Sequence, residues 1–283
     1  MCEEVRLAGR EEAALSFEWI RAIATTVVPG KARSWLRGKQ RQYGLQYPRA
    51  GTVQFGELRR LTPISRVFGL DRGMPVDRYY IEQFLSEHSV DISGRVLEIG
   101  DDFYTRKFGA DRVGKCDVLH VVEGNSKATI VADLTRADNV PSDTFDCIIF
   151  TQTLQMIYDA RAALHHVYRV LKPGGVLLLT SGSIAKIGRR EGRDPWGEYW
   201  HFTAQSTERL LREVFPAENV DVKVYGNVLV AIAMLHGLAA EEFERKELDY
   251  SDPDFEVLIG VRARKASATR EANKEEQRYN KSE

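Results

Sequence analysis

Five short, nearly unbroken apolar runs constrain this chain more than any other feature: RVLEI (95–99), DVLHVV (117–122), ATIVA (128–132), DCIIF (146–150) and GVLLLT (175–180). An apolar run without polar alternation belongs to a strand covered on both faces, which is the situation of parallel strands between helical layers. The segments between them fit that arrangement. Over 159–171, Ala163, Leu164, Val167, Val170 and Leu171 form one apolar stripe, and the following LysProGlyGly stops the helix. Asp77 is placed to cap a helix reaching about residue 88, with Tyr80, Ile81, Phe84 and Leu85 at helical spacing. Further helices are expected near 206–214 and 228–243, and further strands near 220–225 and 255–261. The pattern predicts an α/β fold with a doubly wound, mostly parallel sheet.

Three segments flank or precede that core. An amphipathic helix is expected over 11–27, followed by a basic stretch, 31–41, read as a solvated helix face. From 51 to 74, glycines, prolines and arginines alternate in an ordered, loop-rich stretch. The tail after Arg264 is charged, poor in large apolar residues and expected to be disordered. The expected division is an N-terminal helical and loop extension or lid (1–75), a main domain (76–263) and a charged tail (264–283).

Composition narrows the function. Forty basic against 41 acidic residues give a formal net charge of -1, so no global field draws the protein to nucleic acid or to an anionic membrane. Cys2, Cys116 and Cys147 are too scattered for a disulfide framework or a metal site, and no zinc or magnesium pattern appears. The N-terminus lacks the features of a secretion signal, and the apolar run near Ile232 is broken by His236 and Gly237. A cytoplasmic location is the expectation. Oligomeric state is not legible.

In an open parallel sheet, ligands collect beyond the carboxyl ends of the strands, where backbone amides and helix N-termini converge. The first strand ends at Glu98, Ile99 and Gly100, the second at Val122 and Glu123, the third at Asp133, the fourth at Thr151, Gln152 and Thr153. Glu123 follows Gly100 at about the twenty-residue spacing of a ribose-binding carboxylate, although a bend there would bring His120 or Val122 to the ribose instead. Any one of these acids alone is as well explained by a solvated strand end or a helix cap.

VLEIG, then VADL at 131–134, then DTFDCIIFTQTLQMIYD at 143–159, then HHVYRVLKPGGVLLLT at 165–180, together resemble the S-adenosylmethionine-dependent methyltransferases of the Rossmann-like, class I type. The likeness covers about 76–262. It extends, through ISRVFGLDRGMPVDRYYIEQFL and DPWGEYWHFT, to small bacterial methyltransferases found beside glycosyltransferases. It implies a seven-stranded sheet and S-adenosylmethionine as cofactor. Glu98 and Gly100 would flank the methionine end, Glu123 the ribose and Asp133 the adenine amine, with Thr151 and Gln152 facing the sulfonium. The departure lies after Gly100, where small residues are usual and this chain has Asp101, Asp102, Phe103 and Tyr104. Asp101 and Asp102 are then expected to hold the cofactor's ammonium or an acceptor hydroxyl, and Tyr104 to cover the methionine arm.

For the acceptor, WGEYWHFT places His201 where a general base is expected, with Tyr199 in reserve. Trp196, Tyr199, Trp200 and Phe202 form an aromatic cluster suited either to stacking on a ligand or to closing a loop on the core. The resulting expectation is O-methylation of a small hydroxylated metabolite, a sugar or natural product. N-methylation and a non-catalytic binding module are the alternatives. A nicotinamide dehydrogenase would need a fuller glycine loop, and nucleic-acid methylation lacks its base-flipping strand end.

Overall fold

The computed structural model describes residues 30–43, 50–188 and 197–267. The chain divides into two compact units, 1–60 and 61–283. Within the first lie helix α1 (Gly30–Tyr43) and a single helical turn, Gly56–Leu58. The side chains described in α1 are exposed or half-buried, as a solvated basic helix requires. The helix expected over 11–27 lies outside the described residues.

The second unit is built on seven strands: β1 (Gly94–Ile99), β2 (Val113–His120), β3 (Ile130–Val131), β4 (Phe145–Thr151), β5 (Leu171–Gly182), β6 (Val220–Tyr225) and β7 (Leu258–Arg264). Their order is β3-β2-β1-β4-β5-β7-β6. β1 to β5 run parallel, and β7 lies antiparallel between β5 and β6. The order reverses between β1 and β4, so a crevice opens beyond their carboxyl ends.

Strand periodicity explains the two layers. Leu97, Ile148, Phe150, Leu177 and Leu179 face one side, where α3 (Ala160–Val170) and α4 (Ala204–Arg212) bury Leu164, Val167 and Leu211. Their neighbours Val96, Cys147, Ile149, Val176 and Leu178 face the other side, against Tyr80, Ile81, Phe84 and Leu85 of α2 (Val76–Glu87) and Val230 and Met234 of α5 (Val228–His236). Every one of these strand residues is buried, which is why the runs show no polar alternation. A short helix, α6 (Arg245–Asp249), precedes β7.

Several expectations are corrected. α2 starts at Val76 behind Pro75, and Asp77 sits in its first turn, accepting the Arg78 N–H at 2.9 Å, instead of capping it. LysProGlyGly does not separate α3 from β5. It bulges within β5, since Phe145 pairs with Leu171 while Cys147 pairs with Val176. α5 stops at His236 rather than near 243. The main unit takes in 61–75 as well as the predicted domain. At the other end, Lys265 and Ala266 are buried, and the Lys265 ammonium donates to Asp143 (2.7 Å) and to the Leu171 carbonyl (2.8 Å). The expected tail therefore begins later than residue 264, and residues 268–283 lie outside those described. Cys147 is a buried core thiol, no metal-binding cluster occurs among the described residues, and none of their helices is long and apolar enough to cross a membrane.

Candidate cofactor and acceptor cavities

Two adjoining cavities occupy the crevice beyond the strand tips. The smaller, about 360 Å³, is lined by Ile99 and Gly100 from β1, by Leu119, His120 and Val121 at the end of β2, by Ala132 to Thr135 after β3, and by Thr153, Met156, Ile157, Tyr158 and Tyr199. The larger, about 440 Å³, is lined by Thr151, Gln152, Gln155, Tyr104, Lys186 and Glu198, together with Asp77 and Arg78 of α2 and several apolar side chains. His120, Thr153 and Met156 belong to both.

β1 ends at Ile99, and Gly100 follows it with a φ of +89°, in the left-handed region open to glycine. A methyl group built there would meet no protein atom within 4 Å, so the backbone faces open cavity. Asn125 secures this turn by donating to the Gly100 carbonyl at 2.7 Å. After Gly100 the chain departs from a small-residue loop. Tyr104 and Thr105 enter a wide, π-type helical turn, and both of their N–H groups donate to the Glu98 carboxylate, at 3.0 and 2.7 Å.

That turn reassigns three predicted cofactor ligands. Glu98 is 1% exposed, lines neither cavity and is committed to the backbone below the crevice. Burial pushes its carboxyl up to about 7, against the opposing bonds from Thr105 and Tyr104. Asp101 is exposed and accepts the Phe103 N–H at 2.9 Å. Asp102 is buried and bonds to Lys127 at 2.9 Å and pairs with Arg106; Lys127 above all holds its carboxyl below the usual range. Both acids lie off the cavities because the helical turn needs its N–H groups and cations satisfied locally. Tyr104 does reach the larger cavity. Its ring stacks with Phe108, and burial pushes its hydroxyl up to about 12.

On the β2 side, the sheet ends at His120, whose Nδ1 lies 2.8 Å from the Val122 carbonyl. The chain turns back there, leaving Val121 and Val122 half-exposed and carrying Glu123 into solvent, away from both cavities. His120, the alternative at the bend, takes the wall that Glu123 was expected to take. Asp133 lines the smaller cavity and accepts from the Thr135 N–H (2.9 Å) and hydroxyl (2.8 Å). Desolvation pushes its carboxyl up, but the Thr135 bonds and the Arg136 charge outweigh this and hold it below the usual range, so it is an anion at neutral pH. Thr151 and Gln152 line the larger cavity; Gln152 has φ +48°, fixed by its N–H donating to the Thr180 carbonyl and by Gln155 Nε2 donating to its side-chain oxygen.

The two residues expected in catalysis are separated. The N–H groups of Tyr199 and Trp200 both donate to the Gln155 carbonyl, laying 198–200 along the crevice. Tyr199 thereby lines the smaller cavity, edge-on to Tyr158. His201 lies outside both cavities, exposed, with Nε2 3.5 Å from Glu198 Oε1. Of the aromatic cluster, Phe202 is buried in the core, Trp200 stacks on Tyr158 and Trp196 is outside the described residues.

The donor set suits an adenosyl group: a carboxylate at one wall, apolar side chains (Ile99, Leu134, Ile157) for a planar ring, and bare backbone at Gly100. Residues 78–179 match the family model described as a methyltransferase domain. Over that span the chain is similar to methyltransferase domains. Among curated relatives, the ubiquinone/menaquinone biosynthesis C-methyltransferase UbiE of Klebsiella pneumoniae is 29% identical over 175 residues, covering 51% of this chain and 63% of that protein. This chain thus spans less than two thirds of the length of that relative. Among solved structures, the cyclase SpnF is 17% identical with a TM-score of 0.46, covering 74% of this chain and 88% of that one. An S-adenosylmethionine-dependent methyltransferase from Mesorhizobium loti is 18% identical with a TM-score of 0.41, covering 70% and 100%.

Within the matched segment and its surroundings, sequence reasoning missed Gln155, Met156, Arg78 and Lys186 as cavity residues. Gln155 and Met156 follow the β4 tip directly, and that position was a usable signal. Lys186 and Arg78 reach the cavity only through the packing of the segment after β5 and of α2, which no local pattern reports.

Proposed function

We propose that this protein transfers a methyl group from S-adenosylmethionine to a hydroxyl of a small acceptor held in the larger cavity. The observation carrying this reading is the junction of the two cavities at His120, Thr153 and Met156. The cofactor supplies a methyl group already activated on a sulfonium, so the protein's work is to align the acceptor and exclude water. Asp133 would accept the adenine amine, Ile99, Leu134 and Ile157 would enclose the ring, and the bare Gly100 backbone would let the cofactor come close. His120 takes the hydroxyl proton. Its Nδ1 faces the Val122 carbonyl and so carries the hydrogen, which assigns the basic lone pair to Nε2.

A second reading has the methyl group going to carbon, and the name of the UbiE relatives is what favours it. The polar wall of Thr151, Gln152, Gln155 and His120 favours a hydroxylated acceptor.

Calorimetry with S-adenosylmethionine, S-adenosylhomocysteine and NAD tests the cofactor assignment: heat with the first two alone is expected, and heat with none of them would leave a binding module of another kind. Methyl-labelled cofactor offered with hydroxylated, amine and quinol acceptors, followed by NMR of the product, separates oxygen from nitrogen and carbon. His120→Gln is expected to lower turnover at least about 100-fold, within the range for loss of a general base. Unchanged turnover would remove His120 from the mechanism.

A further inference from the structure

We infer that the acceptor carries an anionic group, a carboxylate or a phosphate, bound in the larger cavity by Arg78 and Lys186; the inference deepens the methyl-transfer reading and rests on it for the identity of the site. Both cations line that cavity, one from the first turn of α2 and the other from the segment after β5. Among the described residues neither forms an ion pair. The two acids on the same wall are otherwise engaged: Asp77 accepts the Arg78 N–H, and Glu198 accepts the Gly188 N–H and faces His201. Burial also pushes the Asp77 carboxyl above its ordinary range.

Lys186 is held in place without a counter-ion in contact. Its ammonium lies 3.6 Å from the centroid of the Phe68 ring, another wall residue, so its side chain is ordered and partly stripped of water. Burial, with Arg66 close enough to add to it, lowers its pKa, and Glu198 opposes the shift only in part. Two cations thus line this cavity. α2 adds its positive end at the same place, because Pro75 supplies no side-chain cap there. A neutral sugar would leave the two cavity cations uncompensated and desolvated, whereas an anionic group would convert both into charge-assisted hydrogen bonds.

The test is calorimetry on the full chain at low salt with inorganic phosphate and with benzoate, each with and without saturating S-adenosylhomocysteine. At least one anion is expected to bind: benzoate alone identifies a carboxylate acceptor, phosphate alone a phosphorylated one, and both a site that reads charge only. Lys186→Met and Arg78→Gln are each expected to weaken that binding roughly tenfold or more, as loss of a charged hydrogen-bond partner does. Arg78 is exposed, so its replacement reports on the site even if Lys186→Met fails to fold. Absence of binding by both anions, or unchanged affinity in the Arg78→Gln protein, would overturn the inference. S-adenosylhomocysteine titrated alone reads the cofactor assignment separately: its failure there refutes the cofactor, while the anion titrations still decide the acceptor site.

Discussion

At the residue scale, two positions at the carboxyl end of β1 set the chemistry of the crevice. Glu98 is the buried acid beneath it, and burial raises its carboxyl from the ordinary range to about 7. In the unfolded chain the same group ionises near 4.3. A raised folded-state pKa contributes stability fully present below the unfolded value and lost as pH rises through the folded one. Unfolding free energy should therefore fall between about pH 4 and pH 7 by as much as roughly 4 kcal/mol, at about 1.4 kcal/mol per pKa unit. Glu98→Gln, which does not ionise, should flatten that part of the curve in urea unfolding measured from pH 4.5 to 7.5; an unaltered slope would show that Glu98 is not the titrating group. Gly100 is the second position. Gly100→Ala puts a side chain at φ +89° and a methyl group into the cavity, so it should destabilise the fold by about 1–2 kcal/mol and weaken S-adenosylhomocysteine binding. Thermal unfolding and calorimetry would read the two effects independently. The acid-glycine strand end was legible in the sequence, but the bonding partners of the acid were not. The N–H groups of Tyr104 and Thr105 claim Glu98 only because the chain forms a helical turn where glycines were expected.

At the element scale, the end of β7 shows how a strand is tied down beyond its last ladder bond. Lys265 donates to Asp143 and to the Leu171 carbonyl, and its ammonium lies 4.9 Å from the Tyr168 ring centroid. Lys265→Met removes those donors and leaves a buried carbonyl short of a partner, so a loss of about 1–3 kcal/mol is expected in urea unfolding. A loss below about 0.5 kcal/mol would mean that water replaces the ammonium. From the sequence this residue read as the start of a solvated tail, since a lysine in a charged segment looks exposed. Most elements were more legible: the five apolar runs each fall on a strand, and the α3 stripe of Ala163, Leu164, Val167 and Val170 is buried as read. The boundaries that slipped did so where a tertiary contact overrides local pattern. β2 ends two residues before the apolar run does, because His120 turns the chain through the Val122 carbonyl, and that displacement is what removes Glu123 from the crevice.

At the scale of the whole molecule, every residue lining either cavity lies within 61–283, the second compact unit. A chain beginning at Leu61 is expected to bind S-adenosylhomocysteine within about threefold of the full-length affinity, a difference worth about 0.6 kcal/mol. A larger loss in calorimetry would mean that the first unit contributes to the cofactor site. What the sequence by itself determined is the architecture: apolar runs buried on both faces require parallel strands between helical layers, and strand-end residues must then face a common crevice. What only the tertiary structure decided is which of those residues line it. Asp133 does, while Glu98, Asp102 and Glu123 do not and His201 stands outside, because a polar side chain goes to whichever partner the surrounding backbone and charges bring within hydrogen-bonding reach. Those partners come from segments distant in sequence. The cations Arg78 and Lys186 come to line one cavity by the same long-range packing, and no reading of either segment alone brings them there.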